Sequence, residues 1–251
     1  MLSKNQVKYI QSLRLGKFRD EYRVFIVEGV KMVDELLKSS FHIRQILGTT
    51  SWIETHKDIL KAKNPEVQVI TEAELQRISH LVTPNEVLAV AGYPENDLPA
   101  REGLGKIILV LDGIQDPGNL GTIIRTADWF GIRQVICSEN TADIFNPKVV
   151  QATMGSIFRA GIYYTVLKDF LEGLGPDWKI YGADTEGENI FGLEPGFPLA
   201  IVIGNESKGI SPGLYPLLTQ KIGIPSGSTG AESLNAAVAA GIIMAVFGRK
   251  I

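Results

Sequence analysis

The sequence predicts a two-domain α/β protein. Short β-branched runs alternate with helical patterns in two stretches, as chains built from βαβ units do. Between them, residues 94–105 (PENDLPAREGLG) carry two prolines, two glycines and four charges with no apolar period, which marks a linker. The runs beyond the linker are apolar at nearly every position, as in strands of a mostly parallel sheet covered on both faces. At 251 residues, 45% hydrophobic and 21% charged, the chain can bury a core in each half, and collagen-like, coiled-coil and wholly disordered readings are excluded.

Taken in order, a polar helix is expected near 5–15, then a strand at 24–27 and a helix at 29–38. A strand at 43–47, a helix near 53–62, a strand at 67–70, a helix at 72–79 and a strand at 87–91 complete a small α/β layer. After the linker, strands are expected at 106–111, 135–137, 180–183, 199–203 and 221–224, with helices between most of them. A long helix from about Ser233 to Phe247 closes the chain; apolar all round, it is expected to be buried on all sides. The expected division is 1–95, linker 96–105, and 106–251.

Charge is unevenly spread. Residues 1–23 hold Lys4, Lys8, Arg14, Lys17, Arg19 and Arg23 against Asp20 and Glu21, a net of +4, while the whole chain carries −3. Such a segment suits phosphate contact and equally suits a solvated helix face. The single Cys137 cannot form an internal disulfide, which favours a reducing, cytoplasmic compartment. No apolar run reaches the ~20 residues a spanning helix needs, and the first residues open no signal peptide, so no membrane partner is expected. His42, His56 and His80 lie far from the informative loops and read as surface or packing residues, and no metal-ligand spacing is present.

Ligands of parallel sheets bind beyond the carboxyl ends of the strands, so the loops after Leu111, Ala183, Ile203 and Ile224 matter most. In the helix near 120–130, Leu120, Ile123, Ile124, Ala127 and Phe130 share one face. At ~100° per residue, Arg125 and Trp129 stand about 140° and 180° from Leu120, off that stripe. They suit a subunit contact or a cleft, although a solvated Arg125 paired with Asp128 fits the spacing too. After Ile203, Gly204 and Gly209 have the spacing of a phosphate-binding loop, but Ile210 occupies the place of its lysine. Glu232, Ser233 and Asn235 could simply cap the last helix.

Together, Asn119-x5-Arg125-x4-Phe130-Gly131, then Gly204-Asn205-Glu206-x2-Gly209, then Pro225 through Ser233-Leu234-Asn235 resemble the three motifs of the SpoU (TrmH-like) family. These are SPOUT-class, S-adenosylmethionine-dependent RNA 2′-O-ribose methyltransferases. The motifs span 106–251. Lys17-Phe18-Arg19 and Phe25-Ile26-Val27-Glu28-Gly29 make residues 1–95 similar to the family's ribosomal-protein-like substrate-binding domain. Two departures are a segment between Pro225 and Ser233 about one residue long and Ala237 where many members have serine.

The resemblance implies an α/β trefoil-knot domain, a rare exception to unknotted chains, and a homodimer acting on RNA, most naturally ribosomal RNA. It implies S-adenosylmethionine held at Gly204, Ile224 and Leu234, with Ala183 a weaker addition. It assigns Arg125 as phosphate clamp or base, Asn119 and Glu206 to orient it and the substrate, and Ser233 and Asn235 to tie the knot loop. The alternatives are a relative that binds RNA without methylating it, a tRNA-directed member of the family, and a generic nucleotide-binding enzyme.

Overall fold

The computed structural model describes residues 1–95, 97–227, 230 and 233–248. Asn96 and Glu232, expected as the first linker residue and a helix cap, lie outside them. The chain forms two compact units, Met1–Glu95 with Asp143–Phe158, and Asn96–Ala142 with Arg159–Ile251. In chain order the elements are α1 (Lys4–Ser12), α2 (Gly16–Tyr22), β1 (Val24–Glu28), α3 (Val30–Lys38), β2 (Ile43–Gly48), α4 (Thr50–Thr55), α5 (Lys57–Lys63), β3 (Glu66–Val69), α6 (Glu72–Ile78) and β4 (Val87–Gly92). There follow β5 (Ile107–Leu111), α7 (Pro117–Trp129), β6 (Gln134–Ser138), α8 (Pro147–Thr153), β7 (Gly161–Thr165), α9 (Leu167–Gly173), β8 (Lys179–Asn189), β9 (Leu199–Ile203), β10 (Gln220–Gly223) and α10 (Ala236–Gly248).

In the first unit the sheet order is β1-β4-β2-β3, with only the β2–β3 pair parallel. Helix α1 starts at a capping box, in which Ser3 Oγ accepts from Gln6 N and Gln6 Oε1 accepts from Ser3 N. Its Val7 and Ile10, with Leu13, join Val24, Ile26, Leu47, Leu75 and Leu88 in one core. The basic stretch then forms α2, a helix the apolar pattern does not mark, closed by Arg23 in the left-handed region at φ 54°. The helix expected over 53–62 is broken at His56, whose ring stacks on Trp52 with Nδ1 2.8 Å from the Trp52 carbonyl. That ring competes for a carbonyl the continuing helix would use.

Strand β1 is an edge strand, yet all five of its residues are buried. Residues 143–158 cover it, with α8 against β1 and the Phe145 ring centroid 4.7 Å from that of Phe25. A covered edge cannot pair with another chain. Phe41 meets Phe158 at 5.3 Å, and Tyr93 stacks on Phe145 at 4.1 Å.

The second unit is a six-stranded sheet of order β10-β8-β9-β5-β6-β7, parallel at every pairing. Strands β5 and β9 are buried throughout, as their unbroken apolar runs require. Edge strand β7 escapes the sequence reading because it is half-exposed and tyrosine-bearing rather than an apolar run. Helix α10 packs on α7, but it is not buried on all sides as expected: Val238 is 49% exposed and Ala245 is exposed. Val238 and Ala245, seven residues apart, thus leave an exposed apolar strip on α10, and Trp129 on α7 is 84% exposed. Among the described residues no helix is long and apolar enough to cross a membrane.

Candidate active site

The site is assembled where the carboxyl ends of four adjacent strands meet, in the order β10, β8, β9 and β5. Lys221 on β10 and Val202 on β9 both register with Gly182 on β8, and Leu111 on β5 registers with Ile203. Ala183, Gly204 and Ile224 therefore lie one, two and three residues beyond the aligned row of Gly182, Val202 and Lys221.

The loop after β9 is held by its backbone. Asn205 and Gly209 exchange N–H···O bonds of 3.0 and 2.9 Å, and Gly209 adopts φ +66°. A Cβ on Gly204 would sit 2.3 Å from the Gly209 carbonyl carbon, so only glycine fits there. Asn205 Nδ2 donates to the Gly113 carbonyl at 2.8 Å, while its Oδ1 accepts from Ser207 and Lys208 N. Buried Asp112 accepts from Ser211 N at 2.6 Å. Asn205, Asp112 and Gly113 thus fasten the loop to the end of β5. The sequence offers a weak signal for them, a polar residue directly after a buried strand.

Asn119 is the hub. Asp116 caps α7 by accepting from Asn119 N at 2.7 Å, which fixes Asn119 in the first turn. Its side chain donates through Nδ2 to Glu206 Oε1 at 2.7 Å and accepts through Oδ1 from Asn235 Nδ2 at 2.9 Å. Asn235 Oδ1 in turn accepts from Ala237 and Val238 N, so Asn235 caps α10 and reaches Asn119 at once. Three sequence-distant motifs are joined through one amide.

The other expected residues are placed differently. Arg125 is exposed on α7 and makes no hydrogen bond or ion pair with the described residues. Its spacing partner Asp128 is taken by Arg159, at 2.8 Å. Ser233 is exposed and does not join the Asn119 cluster. Leu234 is 46% exposed, and Gly204, Ala183 and Ile224 are half-buried. Small and apolar positions with incomplete cover, beside a loop of tight backbone, fit a flat neutral ring system better than a triphosphate.

A second network beside the site has no regular spacing in sequence. Between Lys221 and Ile222 the pairing of β10 skips along β8, so residues 183–187 loop out of the ladder. Asp184 pins this bulge, accepting from Tyr215 Oη at 3.0 Å, Lys221 Nζ at 3.1 Å and Glu186 N at 2.9 Å. The Glu186 amide, with smaller help from Lys221 and Tyr215, holds the Asp184 carboxyl below the usual range. Gly187 and Gly223 let the two backbones touch, since a Cβ on Gly187 would lie 2.3 Å from Ile222. By contrast, a cavity of about 380 Å³ lined by Arg101, Lys106, Trp178 and Pro198 opens at the amino ends of β5, β8 and β9, away from this chemistry. Cys137 is fully buried, with its thiol pushed well up by burial, and is inert core. No cluster of three or more His, Cys, Asp or Glu able to hold a metal ion occurs among the described residues.

Residues 106–245 match the SpoU rRNA methylase family, and residues 4–89 match the MRM3-like substrate binding domain. The chain is 31% identical over 245 residues to the 23S rRNA (guanosine(2553)-2′-O)-methyltransferase RlmP of Bacillus subtilis, covering 96% of each protein. Its structure resembles that of an S-adenosylmethionine-bound rRNA methyltransferase from Sinorhizobium meliloti, with TM-score 0.86 and 29% identity over 100% of this chain and 96% of that one. It also resembles the SpoU methyltransferase AviRb from Streptomyces viridochromogenes in complex with S-adenosylmethionine, with TM-score 0.85 and 26% identity over 99% and 98%. A family match over more than half the chain, carried by loops whose polar groups converge on Asn119, makes this protein a member of the SpoU rRNA methylase family.

Proposed function

We propose that the protein methylates a ribose 2′-hydroxyl of ribosomal RNA, as a cytoplasmic homodimer using S-adenosylmethionine. The observation that carries this reading is the Asn119 hub, which links α7, the Gly204–Gly209 loop and the cap of α10 at one end of the parallel sheet. The last loops and α10 would form the trefoil knot of the SPOUT class. Gly204, Ile224 and Leu234, with Ala183, would hold the cofactor, which when bound supplies a methyl group already activated on a sulfonium.

Positioning then accounts for much of the rate. Arg125 stays cationic under nearly all conditions, so its task is to grip the phosphate beside the target ribose through its planar fork rather than to take a proton. Asn119 and Glu206 fix the loop against α7, Asn235 holds the chain entering α10, and Ser233 would join it only once cofactor and substrate are bound. Residues 1–95 choose the RNA and residues 106–251 carry the chemistry, with 96–105 between them.

A second copy covers Trp129 and Val238 and brings the free Arg125 to a site completed across the interface. Trp129→Glu is expected to give monomers by light scattering; an unchanged dimer would place the interface elsewhere.

The reading is tested by calorimetric titration of the full chain with S-adenosylmethionine, with ATP as control. About one cofactor bound per protomer and no ATP, followed by transfer of labelled methyl to ribosomal RNA, is the expected result. ATP binding alone, or binding of neither by the folded protein, overturns it.

A further inference from the structure

Of the six cations at the amino terminus, Arg19 is structural: its side chain is 3% exposed, Nη1 donates to the Leu13 and Arg14 carbonyls at 2.8 Å, and Nη2 pairs with Asp143. The other five, Lys4, Lys8, Arg14, Lys17 and Arg23, are exposed. Of the two acids among them, Asp20 accepts from Tyr93 Oη at 3.1 Å. With Asp20 and Glu21 exposed as well, the exposed side chains of residues 1–23 are five cations against two acids, a net of +3 on this surface.

That surface also carries rings. Phe18 and Tyr22 lie one turn apart on α2 and stack nearly parallel, 11° between planes and 6.3 Å between centroids. Tyr9 on α1 meets Tyr22 edge-on at 5.2 Å. Lys17 Nζ stands 4.7 Å from the Phe18 centroid. Tyr22 is 37% exposed, Phe18 and Tyr9 are half-buried, and neighbouring Leu15 is 54% exposed. Arg44 is exposed on β2; burial raises the pKa of the Tyr9 hydroxyl, and the nearby Arg44 charge partly offsets it. A face needing only solvation would carry cations without rings, and one made for an apolar protein surface would carry rings without this excess of cations. Interleaved aromatic and basic groups match an unpaired stretch of nucleic acid, whose bases have π-faces and whose phosphates are anionic.

Resting on the reading that ribosomal RNA is the substrate, we propose that α1 and α2 form a docking platform for an unpaired nucleotide of that RNA. Its base stacks on the Phe18–Tyr22 pair, and Lys17, Lys8 and Arg44 face the neighbouring phosphates. The platform would capture single-stranded or bulged RNA with little preference for the base.

The experiment uses full-length protein with a fluorescein-labelled 12-nucleotide oligouridine and an RNA duplex of the same length, read by anisotropy. Tyr22→Ala is expected to weaken binding of the single strand about tenfold, with duplex binding changed less than about twofold. Tyr22→Trp keeps a stacking surface and should restore single-strand affinity. Lys17→Gln should lower the salt-dependence slope for the single strand by about 0.7. S-adenosylmethionine affinity should stay at the wild-type value throughout, and Tyr22→Ala, which loses two ring contacts, should lower the melting temperature by only a few degrees. Equal loss for both RNA forms, no rescue by tryptophan, or unchanged affinity would overturn the platform; the last would leave the rings for a protein contact. A wild-type protein that transfers methyl to ribosomal RNA while the variants bind RNA normally loses only the platform. A wild type that binds cofactor but neither binds nor methylates RNA loses the underlying reading as well.

Discussion

Two helical regions of this chain each present an arginine, and the contrast between them separates structure from chemistry. In the α2 region Arg19 is buried, with two carbonyls taking donors of Nη1 and the Asp143 carboxylate a donor of Nη2. In the α7 region Arg125 is exposed and no described residue takes any of its donors, although Asp128 stands three positions away. A guanidinium with its partners supplied by the fold is committed to holding that fold together. One whose donors no described residue takes, as at Arg125, has the geometry to accept an anion from outside, the role proposed for it. Side-chain type alone does not distinguish them, whereas their partners do.

The contrast can be broken most sharply at Arg125. Arg125→Ala is expected to lower methyl transfer by about 10³-fold with melting temperature and cofactor affinity nearly unchanged. Retained turnover would remove the arginine from the mechanism. The mirror-image change, Arg19→Ala, should cost about 3 kcal/mol in urea unfolding, because it strands the Asp143 carboxylate and two carbonyls. The partial exposure of Asp143 keeps the figure at the lower end of the range for a broken buried pair. A variant as stable as wild type would show that Arg19 is not a structural cation.

The smallest effect concerns His80, close to buried Arg19 and exposed Arg14. Burial, with the nearby charges of Arg14 and Arg19, lowers its pKa from 6.5 to about 4. The folded state therefore resists a proton that the unfolded chain accepts below about 6.5. Stability is complete above that pH and falls as pH drops toward 4, by about 2 kcal/mol between pH 7 and pH 5. Burial raises the pKa of Glu28, which contributes in the opposite sense and trims the loss. In His80→Gln the difference between urea midpoints at pH 7 and pH 5 should shrink. It should shrink in Arg19→Ala too, since one of the charges depressing His80 is gone. An unchanged difference in His80→Gln would assign the acid sensitivity elsewhere.

Much of the fold was legible because double-sided burial leaves an unmistakable run: Ile107–Leu111 and Leu199–Ile203 read as strands and are buried throughout. β7 was not, since an edge strand bearing the half-buried Tyr163 and exposed Tyr164 has no such run. The break at His56 depends on a ring stacking on Trp52, a contact that helical periodicity does not encode. At the site, Asn119, Glu206 and Asn235 were legible because each belongs to a short motif at a strand end, and the fold joins them. Asp184, Tyr215 and Lys221 were not, because their meeting depends on a bulge in β8 rather than on any fixed spacing. The apolar sequence of α10 announced burial, but could not say that Val238 would stand half-exposed.

The assignment of residues 143–158 to the first unit has a consequence for how the chain is made. By residue 95 every strand of that unit's sheet has been synthesised, yet β1 lacks the cover that Phe145 and α8 supply. At roughly 5–20 residues per second, about 3–13 s of translation separate the last strand from its cover. For that interval the nascent protein carries an open strand edge, the kind of surface that holding chaperones shield. Much of the next unit, β5 through β6, must be threaded past before the first can finish.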